Sequence, residues 1–282
     1  MSRFFFIARR FVAGESLDAA VEVVRRLNDR DLDVTLNLLG EHGHDRKQAE
    51  HAVQTYLVML DHIHELELRA NISLKLSHVG QDIDEIFCLE NMHRILERAQ
   101  AFHNFIRLDM EGSAYTQRTL DVFYALYERY KNTGVVIQAM LLRSPHDIAR
   151  LNEVKARVRL CKGSYKEPPD LALQEMPNIR RAYLAIMETL LQYGHEPAFA
   201  THDDFLIEAT QQCAAEHRLP KDAFEFQMLY GLRPRRQAEL RQQGYRMRVY
   251  VPFGTEWMPY FYRRLRERKE NVWFVLHNLF RR

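Results

Sequence analysis

Short runs of apolar and β-branched residues alternate with stretches of helical periodicity along the chain. The extended runs cover Leu32–Leu39, Ile72–Leu76, Phe105–Met110, Val135–Leu141, Arg157–Cys161, Ala198–Thr201, Phe224–Leu229 and Met247–Pro252. Their lengths suit buried strands, and Gly40, Gly80, Gly112, Gly163, Gly231 and Gly254 follow six of them as turn signals. Between them, Ala52, Tyr56, Met59, Leu60 and Ile63 recur at helical spacing. So do Leu120, Phe123, Tyr124 and Tyr127, and then Tyr183, Ile186, Met187 and Leu190. A first helix is expected over Leu17–Leu27 with Ser16 as its N-cap, and 203–217, 233–243 and 256–269 continue the alternation.

Eight strands, each followed by a helix, within 282 residues predict an α/β protein built as a single TIM-like (βα)8 barrel. A doubly wound open sheet is the competitor. It lacks support, because neither GxGxxG nor GxxxxGK[ST] occurs. No linker or repeat divides residues 1–282, which are expected to form one domain. An N-terminal helical segment (1–30) precedes the barrel, and an apolar helix (272–282) follows it.

Composition narrows the picture. The chain is 46% hydrophobic, enough for a large core, and its net charge of +2 gives no field favouring nucleic acid. Three scattered cysteines form no disulfide framework and fit a reducing compartment. No apolar run is long enough to span a bilayer, and the first ten residues do not read as a signal peptide. The expected location is the cytoplasm.

A barrel gathers its chemistry at the C-terminal ends of its strands. The second run offers Lys75 and the third Asp109 and Glu111; Lys75 and Asp109 meet if both point inward at similar height. Such a pair serves either as a structural plug or as part of a ligand site. Gln138 follows from the fourth run. Arg159 and Lys162 from the fifth are cations suited to an anionic or electron-rich ligand. The sixth ends in Ala200-Thr201-His202-Asp203; no second histidine stands at ligand spacing, so no metal is expected. In Phe224-Glu225-Phe226-Gln227-Met228, alternation sends Glu225 and Gln227 to one face, a pattern suited to a heterocycle. After the eighth run, Arg263 and Arg264 stand four and three residues before Glu267. One carboxylate there orients two guanidiniums, a clamp for a substrate carboxylate; the plainer reading is an exposed basic helix.

Taken in order, Arg-Leu-Cys-Lys-Gly-Ser-Tyr, Ala-Thr-His-Asp, Phe-Glu-Phe-Gln-Met-Leu-Tyr-Gly and Tyr-Val-Pro-Phe-Gly…Tyr-Phe-Tyr-Arg-Arg-Leu-Arg-Glu-Arg resemble the signature segments of the proline dehydrogenase family. The likeness covers about residues 8–271 and is to a monofunctional bacterial member. It implies a distorted (βα)8 barrel with its last helix near the C-terminal mouth. It also implies non-covalent FAD and oxidation of L-proline to Δ1-pyrroline-5-carboxylate. That is the first step of proline catabolism, with hydride passing to flavin N5 and electrons to a membrane quinone.

By the same resemblance, Lys75 and Asp109 are the charged pair beside substrate and flavin. Arg263 and Arg264 grip the proline carboxylate, Glu267 steadies them, and Tyr250 and Leu229 line the substrate pocket. Ser164 stands in that pocket where many members have Ala. Gln138, Arg159, Lys162, Thr201, His202 and Gln227 contact FAD. The implied partners are L-proline, the quinone, a downstream pyrroline-5-carboxylate dehydrogenase and, peripherally, the inner face of the cell membrane.

Two other readings compete. One is a different flavin barrel reduced by a nicotinamide, in the manner of a methylenetetrahydrofolate reductase. The other is a non-catalytic basic module using Arg233, Arg235, Arg236, Arg241, Arg246 and Arg248 to bind phosphates. The closing segment Val272–Arg282 either packs on the barrel or lies in a membrane interface.

Overall fold

The computed structural model describes residues 8–40 and 45–267, with side chains placed as far as Tyr262. Helix α1 (Leu17–Asn28) starts at Ser16, whose Oγ accepts the Ala19 N–H at 3.3 Å. Asp18 in its first turn and Arg25 and Arg26 in its last complement the helix dipole. Eight strand–helix units then follow. They are β1 (Asp33–Leu38), α2 (Arg46–Glu65), β2 (Ala70–Leu74), α3 (Glu85–Ala101), β3 (Ile106–Leu108), α4 (Ser113–Tyr127), β4 (Thr133–Gln138) and α5 (Ser144–Glu153). The second half comprises β5 (Arg157–Cys161), α6 (Met176–Tyr193), β6 (Ala198–Ala200), α7 (Asp204–Glu216), β7 (Glu225–Leu229), α8 (Pro234–Gln242), β8 (Arg246–Phe253) and α9 (Trp257–Glu267).

All eight strands are parallel, each paired with its neighbours in sequence, and β8 closes the barrel on β1 with Asp33 opposite Arg248 and Thr35 opposite Tyr250. The expected (βα)8 barrel is therefore present. Asp45 and Asp84 cap α2 and α3 by accepting the backbone N–H three residues on, at 2.9 and 2.7 Å.

Strand edges shift where apolar runs serve something besides the sheet. The run predicted as Val135–Leu141 continues past the end of β4 at Gln138. Met140 and Leu141 instead pack with Ala172 and Ile179 in a small separate cluster. There Leu141 bridges Ala172 in antiparallel fashion, and the Leu173 N–H donates to Met140 O at 2.8 Å.

Alternation divides the barrel into two chemistries. Outward positions are apolar and fully buried against the helices: Leu36, Ile72, Leu74, Leu108, Val158, Leu160, Phe199, Phe226 and Val249. Each contributes roughly 1.5–3 kcal/mol by leaving water. Most inward positions are polar: Thr35, Asn37, Ser73, Arg107, Arg159, Glu225 and Gln227 are all buried, with Val136 and Ala198 among the apolar exceptions. Branched apolar layers ordinarily fill such a barrel. Here the interior is a hydrogen-bonded and ionic network, and Glu225 and Gln227 do share a face opposite Phe226 and Met228.

A second apolar cluster sits at the C-terminal mouth. Ala8, Phe11 and Val12 from the N-terminal segment meet Leu39, Leu232 and the α9 residues Trp257, Tyr260 and Phe261, with Leu229 packed against them. The segment is also tied to β8, since the Ala13 N–H donates to Pro252 O and the Gly254 N–H to Gly14 O, both at 2.9 Å. Gly231, at φ 76°, lets the β7 loop pass beneath it; a Cβ there would lie 1.6 Å from Arg10 O. The last helix is thus held near the mouth, as expected.

Candidate active site

The strand ends place a carboxylate at the centre of the mouth. Asp109 follows β3, is 8% exposed, and its backbone N–H donates to Leu74 O at 2.8 Å. One carboxylate oxygen accepts from Ser73 Oγ at 2.6 Å and Arg159 Nη1 at 2.8 Å. The other accepts from the Tyr250 hydroxyl at 2.7 Å. Burial first, and the Asp109 charge second, raise the Tyr250 phenol well above its ordinary value. It stays protonated and donates. The Arg159 guanidinium also lies over the Tyr250 ring, 5.4 Å from its centroid.

Arg159 is thus a cation paired with Asp109, a partner additional to Lys75, which on the strand-end reading meets Asp109 only if both point inward at similar height. Lys75 sits one residue past β2, half-buried, at the start of the short 3₁₀ turn Leu76–Val79. Ser73, which the sequence reading passed over, faces inward two residues earlier on the same strand. Alternation from Lys75 was the available signal. Beyond it, Ser77 Oγ donates to Glu111 Oε2 at 2.9 Å.

Around the rest of the mouth, Gln138 ends β4 and its amide donates to Glu111 O at 2.9 Å. Lys162 Nζ reaches Asp203 Oδ2 at 3.1 Å, and Arg180 grips the same carboxylate at 2.9 and 3.2 Å. Burial opposes the Asp203 charge, but Arg180 and Lys162 outweigh it and hold the carboxyl below its usual range. Arg180 lies on α6, where no strand-end survey finds it. Thr201 Oγ1 accepts the Asp203 N–H at 3.1 Å, anchoring the turn into α7. His202 Nε2 accepts the Leu229 N–H at 3.0 Å, so its ring carries a proton on Nδ1 at most when that bond is made.

Gln227 lies deeper and donates to Glu225. Ser164 is exposed in the loop after β5. Arg263, Arg264 and Glu267 fall on the backbone of α9, but their side chains lie outside the described residues.

One feature marks where a ligand fits. Arg159 is 5% exposed, yet its Nε and Nη2 are buried without an acceptor among the described residues. A buried cation with spare donors beside Asp109, near the β4–β6 ends, is chemically suited to the electron-rich edge of a flavin ring. The residues present therefore fit that cofactor.

The basic run near the C-terminus is largely neutralised. Arg233 pairs with Asp204 at 2.7 Å, Arg236 with Glu239 at 3.3 Å, Arg248 with Glu225 at 3.0 Å, and Arg241 with Asp31. A free phosphate-binding strip is not what this segment forms.

Comparison with known proteins points the same way. The sequence pattern described as proline dehydrogenase matches residues 20–277. Proline dehydrogenase 1 of Bacillus subtilis subsp. natto is 40% identical over 275 residues, covering 98% of this chain and 91% of its own. Proline dehydrogenase of Deinococcus radiodurans is 35% identical over 278 residues, covering 97% and 90%. Among solved structures, proline utilization A from Bdellovibrio bacteriovorus, inactivated by N-propargylglycine, superposes with a TM-score of 0.86 at 26% identity. That match covers 93% of this chain and 32% of the longer one, so the chain spans about a third of that structure.

Proposed function

The chain belongs to the proline dehydrogenase family, and we propose that it oxidises L-proline to Δ1-pyrroline-5-carboxylate as a flavin-dependent oxidoreductase. The observation carrying this reading is the buried Asp109–Arg159–Tyr250 cluster at the barrel mouth. FAD, bound non-covalently, would supply a hydride acceptor at N5 for the proline ring carbon, with a membrane quinone as the final electron acceptor.

The protein's part is to bind, orient and tune. Arg263 and Arg264 hold the substrate carboxylate, and Glu267, one helical turn on, fixes both guanidiniums. Holding that carboxylate sets the ring carbon at reacting distance, a gain in proximity. Tyr250 and Leu229 form the wall beneath α9, with Ser164 at the rim. The ring carbon gives up hydride more readily when the adjacent nitrogen is a neutral amine than when it is an ammonium. Lys75 and Asp109 are assigned the task of favouring proton loss there.

Arg159 would supply a cation beside the cofactor ring from the β5 strand. Lys162 provides a second cation, held in place by Asp203. Gln138, Thr201, His202 and Gln227 complete the cofactor wall.

Among the described residues no helix is long and apolar enough to cross a membrane. The quinone would be met at the inner face of the cell membrane by peripheral contact, and the product would pass to a pyrroline-5-carboxylate dehydrogenase. The test is steady-state turnover of L-proline with a soluble quinone analogue. The cyclic imine product should form in step with acceptor reduction; absence of that product with cofactor-loaded protein overturns the reading.

A further inference from the structure

The opposite, N-terminal end of the barrel holds a cavity of about 510 Å3. Its charged wall comes from strand starts, Asp33, Arg157, Glu225 and Arg246, with Arg107 and Arg248 one step further in. Most of these cations have carboxylates. Arg248 lies 3.0 Å from Glu225 and 3.5 Å from Asp33, Arg246 lies 3.6 Å from Glu225, and Arg157 lies 2.7 Å from Glu196.

Arg107 is different. It is 3% exposed, and among the described residues no carboxylate stands within ion-pair distance. Its Nη1 donates to the backbone oxygens of Arg157 at 2.5 Å and Val135 at 3.5 Å, and its Nε is buried without an acceptor. A guanidinium does not shed its proton in a protein, so the charge must be met by an anion or borne unpaired at high cost. Burial, and then the neighbouring charge of Arg159, work against it, and the more distant Glu225 carboxylate offsets them only in part.

The surrounding sequence makes room for this group. Gly134 stands opposite Arg107 in the sheet, and a Cβ there would come within 2.8 Å of Arg107 Nη1 and 2.7 Å of the Phe105 ring. The Phe105 ring is itself shared, with the Arg107 and Arg157 guanidiniums 4.7 and 5.2 Å from its centroid. Two adjacent guanidiniums on one aromatic ring, one of them lacking a carboxylate and opening on a cavity, form a fork for oxygen anions.

We propose that the N-terminal cavity is an oxyanion site, binding a phosphate or carboxylate group on Arg107 with Arg157 beside it, at the end of the barrel away from the candidate active site. The bound anion supplies a counter-charge within ion-pair reach of Arg107, which the described carboxylates do not.

The protein as purified should be titrated with inorganic phosphate, and separately with acetate, at fixed pH and ionic strength with chloride as the balancing salt. Phosphate or acetate should raise Tm in a saturable way, on the order of 3 °C at ten times Kd. The two arms tell a phosphate site from a carboxylate site. Arg107→Met should abolish the response. An equal response in that variant, or none in the native protein, overturns the proposal. Should the variant fail to fold, native crystals soaked in selenate should give an anomalous peak at the Arg107 guanidinium. Peaks only elsewhere, or none, overturn it equally.

Discussion

Asp109 and Arg159 form an ion pair of 2.8 Å across the barrel interior, with their side chains 10% and 6% exposed. The pair reaches over β4, from the end of β3 to the middle of β5, and Tyr250 closes it from β8. An ion pair this deep costs much when one partner is removed, because the other stays buried and charged.

Arg159→Met should therefore lower stability by about 3–5 kcal/mol, seen as a fall in Tm on the order of 10 °C. It should also weaken retention of the flavin. Adding Asp109→Leu should recover part of the lost stability, because the stranded charge is gone. A single variant that melts with the native protein would show that the pair does not hold this end of the barrel together.

At the other end, burial opposes the Glu225 charge, but Arg248, Arg246 and Gln227 outweigh it and hold the carboxyl at about 2, below its ordinary value of 4.5. A carboxyl depressed in the folded state stabilises above its unfolded pKa, and that stability is lost as pH falls toward the folded value. Urea unfolding should show about 2–4 kcal/mol disappearing between pH 4.5 and 2. Glu225→Gln should flatten that part of the profile, and an unchanged slope would remove Glu225 as its source.

The proposed carboxylate clamp predicts that substrate binding can be lost without loss of the cofactor. Arg264→Met should raise KM for L-proline about 10- to 100-fold, the loss of one or two charge-assisted hydrogen bonds, while the flavin stays bound. An unchanged KM would sink the assignment.

Phe261 tests whether the mouth cluster positions that clamp. Its ring lies 6.2 Å from Phe11 and 6.1 Å from Trp257, and the residue is 6% exposed. Phe261→Ala should cost about 3–5 kcal/mol if the cluster does not collapse. If α9 loosens first, KM for L-proline should rise at temperatures where the barrel still shows native circular dichroism. A barrel that melts early with normal KM below its Tm would make the cluster purely structural.

Much of this was legible in the sequence because a barrel separates its two faces by simple alternation. Apolar residues at every second position marked Ile72, Leu74, Val158, Leu160, Phe226 and Met228 as helix-facing, and left Glu225, Gln227 and Arg159 for the interior. The partner of Asp109 was less legible. Lys75 and Arg159 both face the mouth by pattern, and only the height of each strand in the closed barrel brings Arg159 to the carboxylate. Arg180 escaped notice because it reaches Asp203 from a helix. Arg107 escaped because a lone arginine in a three-residue strand looks like a surface residue until the cavity around it is known.

The most direct test of the proposed function is an anaerobic titration of the purified protein, followed by visible absorbance. Flavin bands that bleach on addition of L-proline, and not with NADH, are the predicted result. Bands that bleach with NADH and ignore L-proline would contradict it, and would move the chain's chemistry to a nicotinamide-reduced flavin barrel.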